Sequence, residues 1–222
     1  EGGLTESDVM VDSPTNNFCT SNSLDPASGT SVTLSEGNLK NVGSTASYSG
    51  AVGSTFTVTS GKWYWEVRNN TEVTAGSNIY SFAGCAVGFD NNVHKANNSN
   101  IPSVASGVDG WAWEADGDVR AIGTGITRAV TTVSNPSAGD VLGFAMDLDN
   151  GNVYFYLNGV VENSGSAVIT GVTGFANTPM VGVYNGSTST MNFGQDSSFA
   201  GTETAQANSD SNGIGDFFYA PP

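Results

Sequence analysis

The stretch GDVLGFAMDLDNGNVYFYLNGVV, residues 139–161, holds two Asn-Gly pairs, Asn150-Gly151 and Asn158-Gly159. Asn-Gly supplies the positive φ values of a type I′ turn, whose twist matches that of paired antiparallel strands. Leu142, Phe144 and Met146 alternate before the first pair, and Val153, Phe155 and Leu157 alternate after it. Period-two alternation gives each strand one apolar face. The spacing therefore predicts three consecutive antiparallel strands.

The rest of the chain reads in the same way. In KWYWEVR, Trp63, Trp65 and Val67 share one face, and Tyr64, Glu66 and Arg68 the other. The run IYSFAGCAVGF is more continuously apolar, as a strand covered on both faces would be. GWAWEAD sets Trp111 and Trp113 two apart. PMVGVY and STMNFG predict two more strands, the second pairing with the first through NGSTS. The first fifty residues are polar and turn-rich, and read as short edge strands or a wrapping arm. After Phe199 the chain turns polar again, resembling a linker before the aromatic FFYAPP. Gly, Ser, Thr and Asn are plentiful and straight-chain helix formers scarce, and no long amphipathic helix is visible. The pattern points to an all-β chain of two antiparallel sheets packed face to face.

With 6 Lys and Arg against 21 Asp and Glu, the formal charge is −15, and no basic residue follows Arg128. Nucleic acid and anionic membrane, which need a basic patch, are not expected partners. Solubility explains the acidity; the other reading is a surface that gathers divalent cations or works in salty water. No run of about 18 apolar residues and no signal peptide is seen. The start at Glu1-Gly2-Gly3 without Met, and the end at Ala220-Pro221-Pro222, read as cuts in a longer polypeptide. Two cysteines, Cys19 and Cys85, make no disulfide framework, though a bridge between them stays open. Cys85 reads most simply as a small buried hydrophobe.

The motifs TSGKWYWEVR, CAVGF, GWAWEADGDVR, GDVLGFAMDLDNGNVYFYLNGV and MVGVYNGSTSTMNFGQDSSF follow one another in an order that resembles the SPRY domain family. The likeness covers residues 54–200. It implies a bent antiparallel β-sandwich of the concanavalin-like jelly-roll kind, here with an N-terminal wrapping arm over residues 1–53 and a polar linker and tail over 201–222. The flanks SDVMVDSPTNNF and NGIGDFFYAPP resemble segments that bracket SPRY-like regions in bacteriophage structural proteins. The resemblance implies a non-enzymatic virion module, located on the particle or outside the cell. Its expected partners are a host-surface glycan or protein and other virion subunits, sister copies included. SPRY domains bind through variable loops at one rim, so the family's contact residues do not transfer to positions here.

Candidate chemistry is sparse. Glu114 and Asp116 match part of the Glu-x-Asp-x-x-Glu strand of laminarinase-like glucanases, but Val119 stands where the last Glu belongs. ADGD also reads as a tight turn. Asp147, Asp149 and Asn152 offer oxygens to calcium, yet the glycine and the closing Glu of a calcium hand are out of place. No cofactor is expected, with calcium as a weak alternative. His94 is the single histidine and excludes a two-histidine metal site. The amide-rich loop of residues 90–100 suits a polar ligand such as a sugar. Asn91, Asn92, His94 and Lys95 within it, with Asn69 and Asn70 at the end of the aromatic strand, form the candidate ligand-binding set. Trp63 and Trp65 are expected to hold the sandwich together, and Tyr154 and Tyr156 to be covered by the N-terminal arm or a partner. The alternatives to a host-binding module are an architectural oligomerising subunit and a glucanase-like hydrolase.

Overall fold

The computed structural model describes residues 17–26, 32–44, 50–71, 81–87, 109–184 and 186–222. Its strands are, in chain order, β1 (Ser21–Pro26), β2 (Val32–Ser35), β3 (Lys40–Gly43), β4 (Gly50–Ser54) and β5 (Lys62–Thr71). There follow β6 (Phe82–Val87), β7 (Gly110–Glu114), β8 (Val119–Ile122), β9 (Thr127–Arg128) and β10 (Val141–Asp147). The last are β11 (Asn152–Leu157), β12 (Val160–Val161), β13 (Ile169–Thr170), β14 (Asn177–Val183) and β15 (Thr188–Asn192). Among the described residues no helix is long and apolar enough to cross a membrane.

The predicted meander is present. β10 and β11 pair with Leu142 opposite Leu157 and Phe144 opposite Phe155, and β12 returns along β11. Asn158 (φ 51°) and Gly159 (φ 77°) are both left-handed, as a two-residue type I′ turn requires. The first Asn-Gly behaves differently. Asp147 pairs with Asn152, so the connection is a four-residue loop with only Gly151 left-handed. Leu148 is pulled into the core, and Asp147 takes hydrogen bonds from the backbone N–H (3.1 Å) and side-chain amide (2.8 Å) of Asn150.

Two antiparallel sheets face each other. One runs β1-β4-β14-β6-β7-β8; the other runs β2-β3-β15-β5-β10-β11-β13-β9, with β12 on β11. The all-β sandwich expected from patterning is therefore the fold. β14 and β15, expected to form a hairpin, instead lie in opposite sheets: β14 pairs with β4 and β6, β15 with β3 and β5. The link between them bends over the rim, with Gly186 N–H donating to Ser44 O and Gly43 N–H to Ser187 O. The described N-terminal strands border both sheets, β1 beside β4 and β2-β3 beside β15.

Between the sheets lies an aromatic core. Trp65 stacks on Phe144 with centroids 5.3 Å apart, Trp113 stacks on Phe155 at 5.3 Å, and Trp111 touches Trp65, Phe144 and Phe155 at 5.5–5.9 Å. Such pairs add about 0.5–1.5 kcal/mol each beyond the area they bury. β6 and β7 approach closely there: a Cβ on Gly84 would stand 2.1 Å from the Trp111 carbonyl oxygen. Cys85 is buried in this core as expected, and Cys19 is buried too; both are free thiols.

The outer face of the nine-stranded sheet, where Tyr64 and Glu66 point, is covered by the C-terminal segment. Phe217 meets Tyr64 edge-on at 5.2 Å, and Tyr219 lies against Gly159. Residues read from sequence as linker are tied down as well: Arg68 holds Glu203 at 2.7 and 2.9 Å, and the Ser197 hydroxyl accepts from the N–H of Gln206 and Ala207. Tyr154 and Tyr156 are half-buried. The sequence reading has them covered by the N-terminal arm or by a partner, and residues 1–16 of that arm lie outside the described residues.

Candidate binding site

The sandwich has two rims. Val141 opposite Arg68 lies near one, and Asp147 opposite Lys62 near the other. The second rim carries an apolar cleft of about 180 Å³, walled by Phe18, Phe56, Val58, Trp63, Pro179 and Phe193, with Trp65 and Met146 also lining it. Among the described residues that line it there is no Asp, Glu, Lys or Arg. Phe56 is 38% exposed and Trp63 43% exposed, both large for apolar side chains.

Local chemistry builds this cleft. Gly61 adopts φ 85°, its N–H donates to Asp149 Oδ1 at 2.9 Å, and its carbonyl accepts from Leu148 N–H at 3.0 Å. The turn before β5 is thus tied to the β10–β11 loop. Trp63 Nε1 donates to Ser60 O at 2.7 Å, which fixes the indole over the turn. Phe56 is placed by Ser54, whose hydroxyl donates to the Phe56 carbonyl at 3.0 Å, and by the Val58–Asn177 bridge. Beneath, the buried Trp65 Nε1 has no acceptor among the described residues.

Trp63 corrects the sequence reading. It shares a face with Trp65, but it is the second residue of β5 and lies beyond the cover of the opposite sheet. Trp65 holds the core; Trp63 walls a cleft.

The candidate residues named from sequence divide between places. Asn69 and Asn70 stand at the first rim, away from the cleft, and their amides serve the fold. Asn69 Nδ2 donates to Ser137 O at 3.3 Å, and Asn70 Nδ2 donates to Thr190 Oγ1 at 2.7 Å while its Oδ1 accepts from Arg68. Asn91, Asn92, His94 and Lys95 lie outside the described residues. The strand ends that flank their segment, Val87 of β6 and Gly110 of β7, belong to the rim opposite Asn69.

The acidic motifs are spent on structure. Both oxygens of Glu114 accept from Arg120 at 3.0 Å, and Asp118 lies 3.7 Å from the same guanidinium. Asp116 Oδ1 accepts from Asp118 N–H at 3.0 Å, closing the turn between β7 and β8. Burial pushes the Glu114 carboxyl up, with the Arg120 hydrogen bonds and charge opposing. The carboxylate oxygens of Glu114, Asp116 and Asp118 come within 4.8 Å of one another, but Arg120 occupies the position a cation would take on Glu114. A glycosidase needs one carboxyl free to give a proton and another free to attack or activate water; Glu114 is committed to its ion pair. Asp147 and Asp149, considered as calcium donors, serve the β10–β11 loop and the Gly61 turn. The exposed apolar rim does not follow from the sequence, because the alternation that groups Trp63 with Trp65 does not say where the facing sheet stops.

Residues 62–196 match the family profile of the SPRY domain. Among solved structures, the SPRY domain of human HERC1 is similar at 16% identity, with a TM-score of 0.50, covering 72% of this chain and 91% of that one. The TRIM65 PSpry domain is similar at 17% identity, with a TM-score of 0.52, covering 79% and 92% respectively. At these identities the likeness is one of fold. No curated protein matches the sequence.

Proposed function

The chain belongs to the SPRY domain family, and from that premise we propose that it is a non-enzymatic binding module of a bacteriophage virion, of the tail-fibre or decoration kind. SPRY domains are in general protein-binding modules without chemistry of their own. In this reading the chain contacts a host-surface protein through the rim that carries Phe56 and Trp63. Other virion subunits, sister copies included, are its partners on the particle side.

The cleft is the observation that carries the reading. Exposed aromatic side chains around an uncharged pocket are what anchor protein interfaces, because a few desolvated apolar contacts supply most of the affinity. The same rings could stack on a sugar, but a glycan site also needs several polar side chains converging on hydroxyls. This lining is mostly apolar, which favours a protein partner. The virion assignment draws on the flanking segments SDVMVDSPTNNF and NGIGDFFYAPP.

The test is attachment of the labelled chain to bacterial cells and to their protease-treated counterparts. Saturable binding that is lost after protease and in Trp63→Ser is the expected result. Attachment to none of a broad panel, or attachment undiminished by Trp63→Ser, overturns the proposal. Binding that survives protease but is removed by glycan-degrading enzymes would move the partner to the glycan side.

A further inference from the structure

Alternation along β5 puts Glu66 on the outer face of its sheet, where a carboxylate ordinarily meets water. It is 0% exposed, because the end of the chain lies on it. Its Oε2 accepts from Phe218 N–H (2.9 Å) and from Asn192 Nδ2 (3.0 Å). Its Oε1 accepts from Tyr219 N–H (2.8 Å) and from the Tyr64 hydroxyl (3.2 Å). Four donors thus converge on one side chain, two of them successive backbone amides. Asn192 Nδ2 also donates to Asp216 O at 2.9 Å, and Asp216 N–H donates to Gly194 O at 2.8 Å.

The segment that makes these contacts is closed on itself. Asn208 and Phe217 exchange backbone hydrogen bonds at 3.0 and 2.7 Å, and Asp210 Oδ1 accepts from the N–H of Asn212 and Ile214 at 2.9 Å. Its apolar anchors stand at one end: Phe217 is buried, and Phe218 (5.8 Å from Phe199) and Tyr219 are half-buried, while Ile214 is exposed and residues 208–216 bury no apolar side chain. A segment anchored at one end depends on its polar contacts to stay in place, and elements of that kind open at lower cost than the core.

We propose that residues 208–219 form a strap that opens as a unit from an intact sandwich, with Glu66 as its catch. This inference does not depend on the virion reading or on the cleft.

Hydrogen exchange on the full chain tests it. Glu66→Gln keeps the volume but turns an amide N–H₂ toward donors, leaving at least one of them without an acceptor. The Phe218 and Tyr219 amides should then exchange about tenfold faster or more, the loss expected for a hydrogen bond to a charged acceptor, while those of β10 and β11 keep their protection. Unchanged strap amides, or an equal loss of protection in strap and sandwich, overturns the proposal. If Glu66→Gln does not fold, Tyr219→Pro removes one of the two amides from the strap side. Faster exchange at Phe217 and Phe218 with β10 and β11 unaltered is then the expected outcome, and any other pattern overturns it.

Discussion

Trp63 and Trp65 leave β5 on the same side and meet opposite fates, one 43% exposed and the other 1%. Their substitutions should separate binding from stability. Trp65→Ala removes a ring stacked on Phe144 and should cost about 3–5 kcal/mol in urea unfolding. Trp63→Ala should stay within about 1 kcal/mol of the parent and weaken partner attachment instead. Equal losses of stability would place Trp63 in the core after all.

Gly84 admits no side chain. A Cβ there would lie 2.1 Å from the Trp111 carbonyl oxygen and 2.7 Å from Ala112 Cα, both backbone atoms of the paired strand. Gly84→Ala must push β6 from β7, at a cost of about 3 kcal/mol or more. The thermal midpoint should drop by roughly 6 °C or more for a chain of this size.

Arg120→Ala should destabilise by about 1–3 kcal/mol, because it strands the buried Glu114 carboxylate. The figure sits below that of a fully buried pair because the Arg120 side chain is 44% exposed. Glu114→Gln, which leaves no charge to strand, should cost less. Neither parent nor variant should release reducing sugar from polysaccharides, since Glu114 is held by Arg120; turnover lost in Glu114→Gln would instead revive the hydrolase.

Asp147 titrates below its ordinary value of 3.8, chiefly through the Asn150 side-chain hydrogen bond and with help from Lys62. A depressed folded-state value means that its contribution is present above the unfolded pKa and is lost as pH falls through the folded one. Asp147→Asn should therefore melt below the parent at pH 7, and the gap should narrow as the solution is acidified through the depressed folded-state value. A gap that widens on acidification would contradict the assignment.

Much of the sandwich is legible in the sequence because alternation is a local property. Phe144, Phe155, Trp111 and Trp113 all stand where period two puts them. The sheet to which each strand belongs is a different matter. NGSTS suits a hairpin as well as a crossover, and β14 and β15 are separated by pairing with strands distant in the chain, β4 and β6 for one and β3 and β5 for the other. The C-terminal strap escaped notice for another reason. Its contacts to Glu66 come from backbone amides, which every residue but proline carries, so no side-chain pattern announces them. Glu66 itself looked like any outward-facing carboxylate. The rim was half visible: aromatic residues marked β5, but exposure of Trp63 depends on where the facing sheet stops.

The crossing of β14 and β15 between sheets also orders events in time. β4 needs β14, and β3 needs β15, yet a ribosome releases β3 and β4 long before either partner. Until residues 177–192 emerge, β3 has only β2 beside it and β4 only β1, each with its other edge open, and both sheets are completed when β14 and β15 arrive. Pairing over such separations is slow, and exposed edges invite other chains meanwhile. Yield of this protein should thus be governed by how well its first strands are shielded during that wait.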